Sequence, residues 1–189
     1  NDGLKGDAGA DILEGGDGTD TLEGGDDDDR LSGGNDDDVL FGGRGQDTLF
    51  GNAGDDHLFG EIGDDYLYGN AGADDLEGGT GDDHLYGGFG TDELSGGNGD
   101  DALCGDSGND WLADDNGDDR LIGGAGDDHL DGKADRDTAS YETSPSGAVV
   151  NLDADRSYNA VARPFDLLQT FTIAPAVAQD GFGTIDTFE

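Results

Sequence analysis

Aspartate stands at every ninth position from Asp11 to Asp137, fifteen times in succession, with no insertion or deletion between. Leucine stands two places after each aspartate from Leu13 to Leu130. A carboxylate repeated at fixed spacing, with no His or Cys at any regular place, is an array of hard oxygen donors. Zinc would want nitrogen or sulfur. Magnesium demands strict octahedral geometry and keeps its water, whereas calcium accepts six to eight oxygens in a more forgiving cage. The candidate metal ligands are therefore Asp11, Asp20, Asp29, Asp38, Asp47, Asp56, Asp65, Asp74, Asp83, Asp92, Asp101, Asp110, Asp119, Asp128 and Asp137, with backbone carbonyls of the turns completing the sphere. Asp2 and Asp137, at the ends of the series, are the weaker candidates. A single GDGTD is an ordinary solvated loop; fifteen copies in register are not.

Those carboxylates need a scaffold of the same period. In frame the chain reads GDAGADILE, GGDGTDTLE, GGDDDDRLS and so on through fifteen nonamers, residues 6–140. Glycine at the first two places accepts the positive φ that side chains with a Cβ resist, so the first six residues of each unit are expected to turn. The last three, such as Thr48-Leu49-Phe50, are expected to form a short strand whose middle residue faces inward. Two nonamers then bring the chain once round, and units n and n+2 stack about 4.8 Å apart, in about seven circuits. Residues 1–5 are the back half of one more unit, with Asp2 and Leu4 in the aspartate and leucine places. A start in mid-repeat, on Asn1 rather than Met, is expected of a segment of a longer polypeptide.

Charge opposes this packing. The whole chain carries a formal net charge of -39, and residues 1–140 hold 40 acidic against 6 basic side chains, a net of -34. Low hydrophobicity with high net charge is the composition of a disordered chain, so the repeats are expected to be unfolded without metal. About thirteen divalent ions, one between each pair of stacked turns, would bring the region to roughly -8. Metal binding and folding then become one event.

The repeats GGxGxDxLx over residues 1–140 resemble the RTX, or haemolysin-type, calcium-binding nonapeptide family. The resemblance implies an all-β fold, a right-handed parallel β-roll, that binds on the order of ten or more calcium ions. It also implies a segment of a larger bacterial protein exported by type I secretion, folding when it meets extracellular calcium, with neighbouring domains of the parent polypeptide as partners. Several units depart from the family pattern. Asp27 and Asp36 replace the fourth-place glycine, which Asp tolerates better than most residues. Asp114 replaces a first-place glycine, so the turn Asp114–Asn116 is expected to be distorted. The last unit departs at Lys133, Asp135 and Ala139, where the roll is expected to run out. The fifth-place acids Asp28, Asp37, Asp55, Asp64, Asp82, Asp100, Asp118 and Asp127 are read as charge around the ion sites or as aids to solubility.

From Tyr141 the period is lost and Val, Ala, Phe and Pro rise. Residues 141–189 are read as a second module, a cap over the exposed end of the solenoid core or a link between blocks of repeats, with a strand over 147–152. On the outward face, Phe50, Tyr68 and Tyr86 should stack in one column and Phe41 and Phe59 in the opposite sheet, with Tyr66 and His84 alongside. Such columns serve cross-strand packing; as an alternative they could bind a polysaccharide. An ice-binding role would need regular Thr and Asn in the turns, and the third-place series Ala8, Asp17, Asp26, Asn35, Arg44, Ala53 does not supply it. His57, His84, His129 and Trp111 share the seventh place, and no His recurs one circuit on to build a nitrogen ladder. No nucleophile or zinc-hydrolase motif is present, so no catalytic residue is assigned. Cys104 is the only cysteine and can form no internal disulfide. No run of about eighteen apolar residues exists to span a bilayer, and the negative charge should repel nucleic acid.

Overall fold

The computed structural model describes residues 1–140 and 149–151. Among them are seventeen strands and no helix: β1 (Gly3–Ala8), β2 (Ile12–Asp17), β3 (Thr21–Asp26), β4 (Arg30–Asn35), β5 (Val39–Arg44), β6 (Thr48–Ala53), β7 (His57–Ile62), β8 (Tyr66–Ala71), β9 (Asp75–Thr80), β10 (His84–Phe89), β11 (Glu93–Asn98), β12 (Ala102–Ser107), β13 (Trp111–Ala113), β14 (Arg120–Ile122), β15 (His129–Asp131), β16 (Thr138–Ser140) and β17 (Val149–Asn151). Odd-numbered strands form one sheet and even-numbered strands the other, each in sequence order. Every pairing is parallel, and within the repeats each joins residues eighteen apart, as in Leu49 with Leu67 and Leu85 with Leu103. The fold is a parallel β-roll of about eight circuits, one more than the nonamer count suggests, because the opening half-unit supplies β1 and β17 pairs with β15 beyond the last repeat.

The core is one ladder of leucines. Leu22 to Leu130 are 0–1% exposed, and Ala139 takes the leucine place in the final unit at 0%. One inward side chain per nine residues, alternating between two sheets, leaves a thin core. Such a core holds a long rod only if something also orders the turns.

The strands are longer than the composition suggests. From β1 to β12 each has six residues rather than three and runs through the glycine pair to the third place of the next unit. Glycine stands first because that place faces inward, not because the chain turns there: a Cβ on Gly60 would lie 2.6 Å from both Asp65 Oδ2 and the Gly78 carbonyl oxygen. The second place, where φ is positive even in Asn52, Glu61 and Asn70, bends the strand without ending it. Reversal is left to places four to six. Asp27 (φ 80°) and Asp36 (φ 73°) hold the same left-handed fourth-place backbone as the glycines they replace.

The pattern changes at Asp114. From β13 to β16 the strands shrink to three residues, with isolated bridges such as Asn98 with Asn116 and Ser107 with Ala125 continuing the ladder. The Asp114 carboxylate accepts from the amides of Gly97 (2.9 Å) and Asp115 (2.8 Å), so a side chain takes donors that a regular strand would give to backbone. The final unit nevertheless keeps its place in the roll. Lys133 (φ 52°) and Asp135 (φ 74°) take the left-handed conformations of the missing glycines. Lys133 Nζ donates to Asp115 at 2.6 Å, and Arg136 pairs with Asp118. Of the expected strand over 147–152, residues Val149–Asn151 form β17; the other residues of 141–189, and with them the expected second module, lie outside the described residues.

Candidate metal centre

Each sixth-place aspartate follows a tight turn and precedes a strand, and the roll brings those of one side into a column. From Asp20 to Asp128 their exposure is 0–3%, and Asp137 reaches 5%. Their two oxygens have different surroundings. Oδ1 accepts the backbone N–H of the equivalent aspartate one circuit earlier: Asp29 Oδ1 from Asp11 N at 2.7 Å, Asp65 Oδ1 from Asp47 N at 2.8 Å, Asp119 Oδ1 from Asp101 N at 2.9 Å. Oδ2 is buried and has no hydrogen-bond partner in Asp11, Asp20, Asp29, Asp38, Asp47, Asp56, Asp65, Asp74, Asp83, Asp92, Asp101, Asp110, Asp119 and Asp128.

A peptide oxygen converges on these orphaned atoms. At Gly78, Asp83 Oδ2 and the Gly96 carbonyl stand 2.5 and 2.7 Å from the point a Cβ would occupy, and at Gly105, Asp110 Oδ2 and the Gly123 carbonyl stand at 2.4 and 2.6 Å. The first-place glycine thus opens a cradle in which a carboxylate from one turn meets a carbonyl from the next. The carbonyls of the aspartates themselves are committed elsewhere: that of Asp65 accepts from His84 N at 2.8 Å and that of Asp29 from Thr48 N at 2.9 Å.

Burial makes the ionised carboxylates costly unless they gain a proton or a counter-charge. Burial pushes the carboxyls of Asp47 and Asp56 up to about 6, those of Asp65, Asp74, Asp110 and Asp119 to about 7, and that of Asp83 to about 8, with neighbouring acids adding to the rise. A buried charge without a partner is among the most costly arrangements in a protein. Buried, unpaired carboxylate oxygens beside peptide carbonyls, with no regular nitrogen or sulfur donor, fit a hard oxygen-seeking cation.

The ends of the series differ from its middle. Asp2 is exposed, although its amide donates to Asp20 Oδ1 and its carbonyl accepts from Thr21 N at 2.9 Å. Asp137 Oδ1 accepts from Asp119 N at 3.2 Å, and its Oδ2 is not among the orphaned atoms.

The fifth-place acids have a structural task that sequence reasoning missed. Their Oδ1 atoms accept the N–H of the fifth-place residue one circuit later: Asp28 from Gln46, Asp37 from Asp55, Asp55 from Ala73, Asp82 from Asp100 and Asp100 from Asp118, at 2.8–2.9 Å. This outer ladder runs opposite in sense to the inner one, in which the later circuit supplies the carboxylate. The signal was available, because acids recur at that place eighteen residues apart.

The aromatic columns stand where the period puts them. Phe50–Tyr68 and Tyr68–Tyr86 stack with centroids 4.9 and 5.0 Å apart, Phe41–Phe59 at 5.0 Å and Tyr66–His84 at 4.8 Å. Arg30 lies 4.3 Å over Phe50, and Cys104 follows Tyr86 in register. Trp111 meets the ring of His129 at 3.9 Å, and His57 Nδ1 lies 3.2 Å from Asp75 Oδ2. No helix among the described residues is long and apolar enough to cross a membrane.

The family model described as RTX calcium-binding nonapeptide repeat (4 copies) matches residues 1–31, 14–49, 32–67, 41–76, 68–103 and 105–139. No curated protein matches the chain. A repeat of this period, folded as a parallel roll around a ladder of buried, unpaired carboxylates, agrees with that match: the chain belongs to the family of RTX calcium-binding nonapeptide repeats.

Proposed function

We propose that this chain is a calcium-dependent folding module, in which the sixth-place aspartates from Asp11 to Asp128 hold on the order of ten or more calcium ions between successive turns. The observation that carries this reading is the unbroken series of buried, partnerless Oδ2 atoms. A bound ion would supply positive charge and accept coordination by oxygen. The chain itself supplies a carboxylate oxygen fixed through its twin, a carbonyl from the next turn and a glycine that leaves room for both. Without the ion, self-repulsion keeps the repeats open. With it, the turns order and the leucine ladder closes.

RTX repeats occur in secreted bacterial proteins. A chain that stays unfolded where calcium is scarce and folds where it is plentiful suits export through a narrow channel. We therefore place its action outside the cell, where it stabilises and presents the neighbouring domains of a larger protein, with residues 141–189 as a cap or a link between repeat blocks. A polysaccharide-binding role has less support. The faces of Phe50, Tyr68 and Tyr86 are taken up by one another, with Arg30 beyond one end, so a sugar ring finds edges rather than faces.

The test is a calcium titration followed by far-ultraviolet circular dichroism and Trp111 fluorescence, with magnesium as control. Expected is an unfolded spectrum without calcium, a steep gain of β signal with it and little response to magnesium. A chelator-treated sample with the same spectrum and melting temperature as the calcium-loaded one would overturn the proposal.

A further inference from the structure

Fourteen of the fifteen nonamers open on glycine, and the exception is Asp114. Its side chain is 0% exposed. Oδ1 is fixed by the amides of Gly97 and Asp115, while Oδ2 is buried and without a partner. Two sixth-place carboxylates stand close to it. Asp101 and Asp119 are 2% and 1% exposed, each with Oδ1 held by a backbone amide, from Asp83 at 2.6 Å and from Asp101 at 2.9 Å, and each with Oδ2 unpaired. One carboxylate oxygen from each of Asp101, Asp114 and Asp119 lies within 4.8 Å of the others.

The consensus arrangement shows what has changed. Beside Gly78 the atoms nearest the Cβ point are Asp83 Oδ2 and a neutral carbonyl, that of Gly96. Beside Gly96 they are Asp114 Oδ2 at 2.4 Å, Asp101 Oδ2 at 2.6 Å and Asp114 Oδ1 at 2.7 Å. A full carboxylate has taken the position of a peptide oxygen. The local negative charge rises by one, and the ammonium of Lys133, held on Asp115 at 2.6 Å, acts on Asp114 from outside the three carboxylates.

We propose that Asp101, Asp114 and Asp119 form a three-carboxylate cation site, a consensus position of the roll with one carboxylate added, that binds calcium more tightly than its neighbours and favours trivalent over divalent ions more than they do. The proposal rests on the reading that the sixth-place aspartates hold calcium, and adds Asp114 as a ligand the nonapeptide pattern does not contain. Charge count is a main determinant of affinity in oxygen-ligand sites, and one added carboxylate is expected to tighten binding by about tenfold. Three carboxylates leave a calcium ion with a net negative surround and neutralise a trivalent ion completely.

The experiment is calorimetric titration of the full chain with calcium, and separately with terbium in competition with calcium, for the native sequence, Asp114→Asn and Asp114→Gly. Asn keeps the shape and the acceptor for the Gly97 and Asp115 amides but loses the charge. Gly restores the consensus, and its fold is checked by circular dichroism at saturating calcium. Expected is one equivalent about tenfold tighter than the rest in the native chain, enriched for terbium and missing from both folded variants while their remaining binding persists. A native isotherm without a separate tight equivalent, or one whose tight equivalent survives in both variants, overturns this site and leaves the general calcium reading standing. Absence of all calcium binding overturns both.

Discussion

Removing the Asp65 carboxylate should damage the middle of the roll in two separable ways. Asp65 is fully buried; its Oδ1 holds the Asp47 amide at 2.8 Å, and its Oδ2 faces the cradle beside Gly60. In Asp65→Ala the Asp47 N–H loses its acceptor in a buried setting, at a cost of about 1–3 kcal/mol. On the proposed function the ion held there would also lose its primary charge, and at free calcium a hundredfold above the dissociation constant one lost site removes about 2.7 kcal/mol. Together these give roughly 4–6 kcal/mol, and at about 2–4 °C per kcal/mol for a domain of this size the melting temperature falls by roughly 10–20 °C. Asp65→Asn keeps an acceptor oxygen and should lose only the ion's share, roughly 3 kcal/mol. Asp137→Ala, with its 3.2 Å contact at the last repeat, should cost at most about 1 kcal/mol. The assay is thermal unfolding by circular dichroism at fixed saturating calcium. Melting temperatures for Asp65→Ala and Asp137→Ala within two or three degrees of each other would refute the reasoning.

Acidification of the metal-free chain should favour the roll. Buried aspartates such as Asp65 and Asp83 are pushed up, to about 7 and about 8, so the folded form holds protons that the unfolded form has released. Their contribution to folding is present below about pH 4 and is lost as pH rises through about 6–8; a metal-free spectrum unchanged from pH 4 to pH 8 would contradict this. With calcium the same groups must be ionised, so calcium affinity should rise with pH through that window. Gly60→Ala places a methyl 2.6 Å from both Asp65 Oδ2 and the Gly78 oxygen and should raise the calcium needed for folding severalfold, where a surface change such as Thr91→Ala leaves the titration unmoved. A Gly60→Ala titration matching the native one would show that the cradle is not the ion's place.

Periodicity made most of the architecture legible before any coordinate. The eighteen-residue pairing, the leucine ladder, the aspartate column and the aromatic stacks all follow from one period of nine and one assumption about how many units complete a circuit. Strand length was misread because glycine pairs look like turns by composition, whereas the first glycine is there to make room for the Asp oxygen facing it. The division of labour between Oδ1 and Oδ2 needs coordinates, since sequence treats the two oxygens as one residue. Asp114 was visible as a departure, but its meeting with Asp101 and Asp119 was not, because it depends on which way a carboxylate folds in a place that normally has none. The persistence of the roll through Lys133, Asp135 and Ala139 went against the expectation of fraying. There β16 still pairs with β14, Ala139 is still buried, and ion pairs with Asp115 and Asp118 join residues eighteen apart.

The opposed hydrogen-bond ladders give the rod a direction. On the inner track each circuit offers its amide forward to a carboxylate that arrives later in the chain; on the outer track each later amide reaches back to a carboxylate already laid down. A circuit docking from the carboxyl-terminal side therefore finds its outer amide welcomed at once while its inner amide waits for a successor, and one docking from the amino-terminal side meets the reverse. Growth in the two directions is chemically unlike, so a break in one track, by Asp37→Ala or by Asp65→Ala, should stall the advancing edge on different flanks of the break.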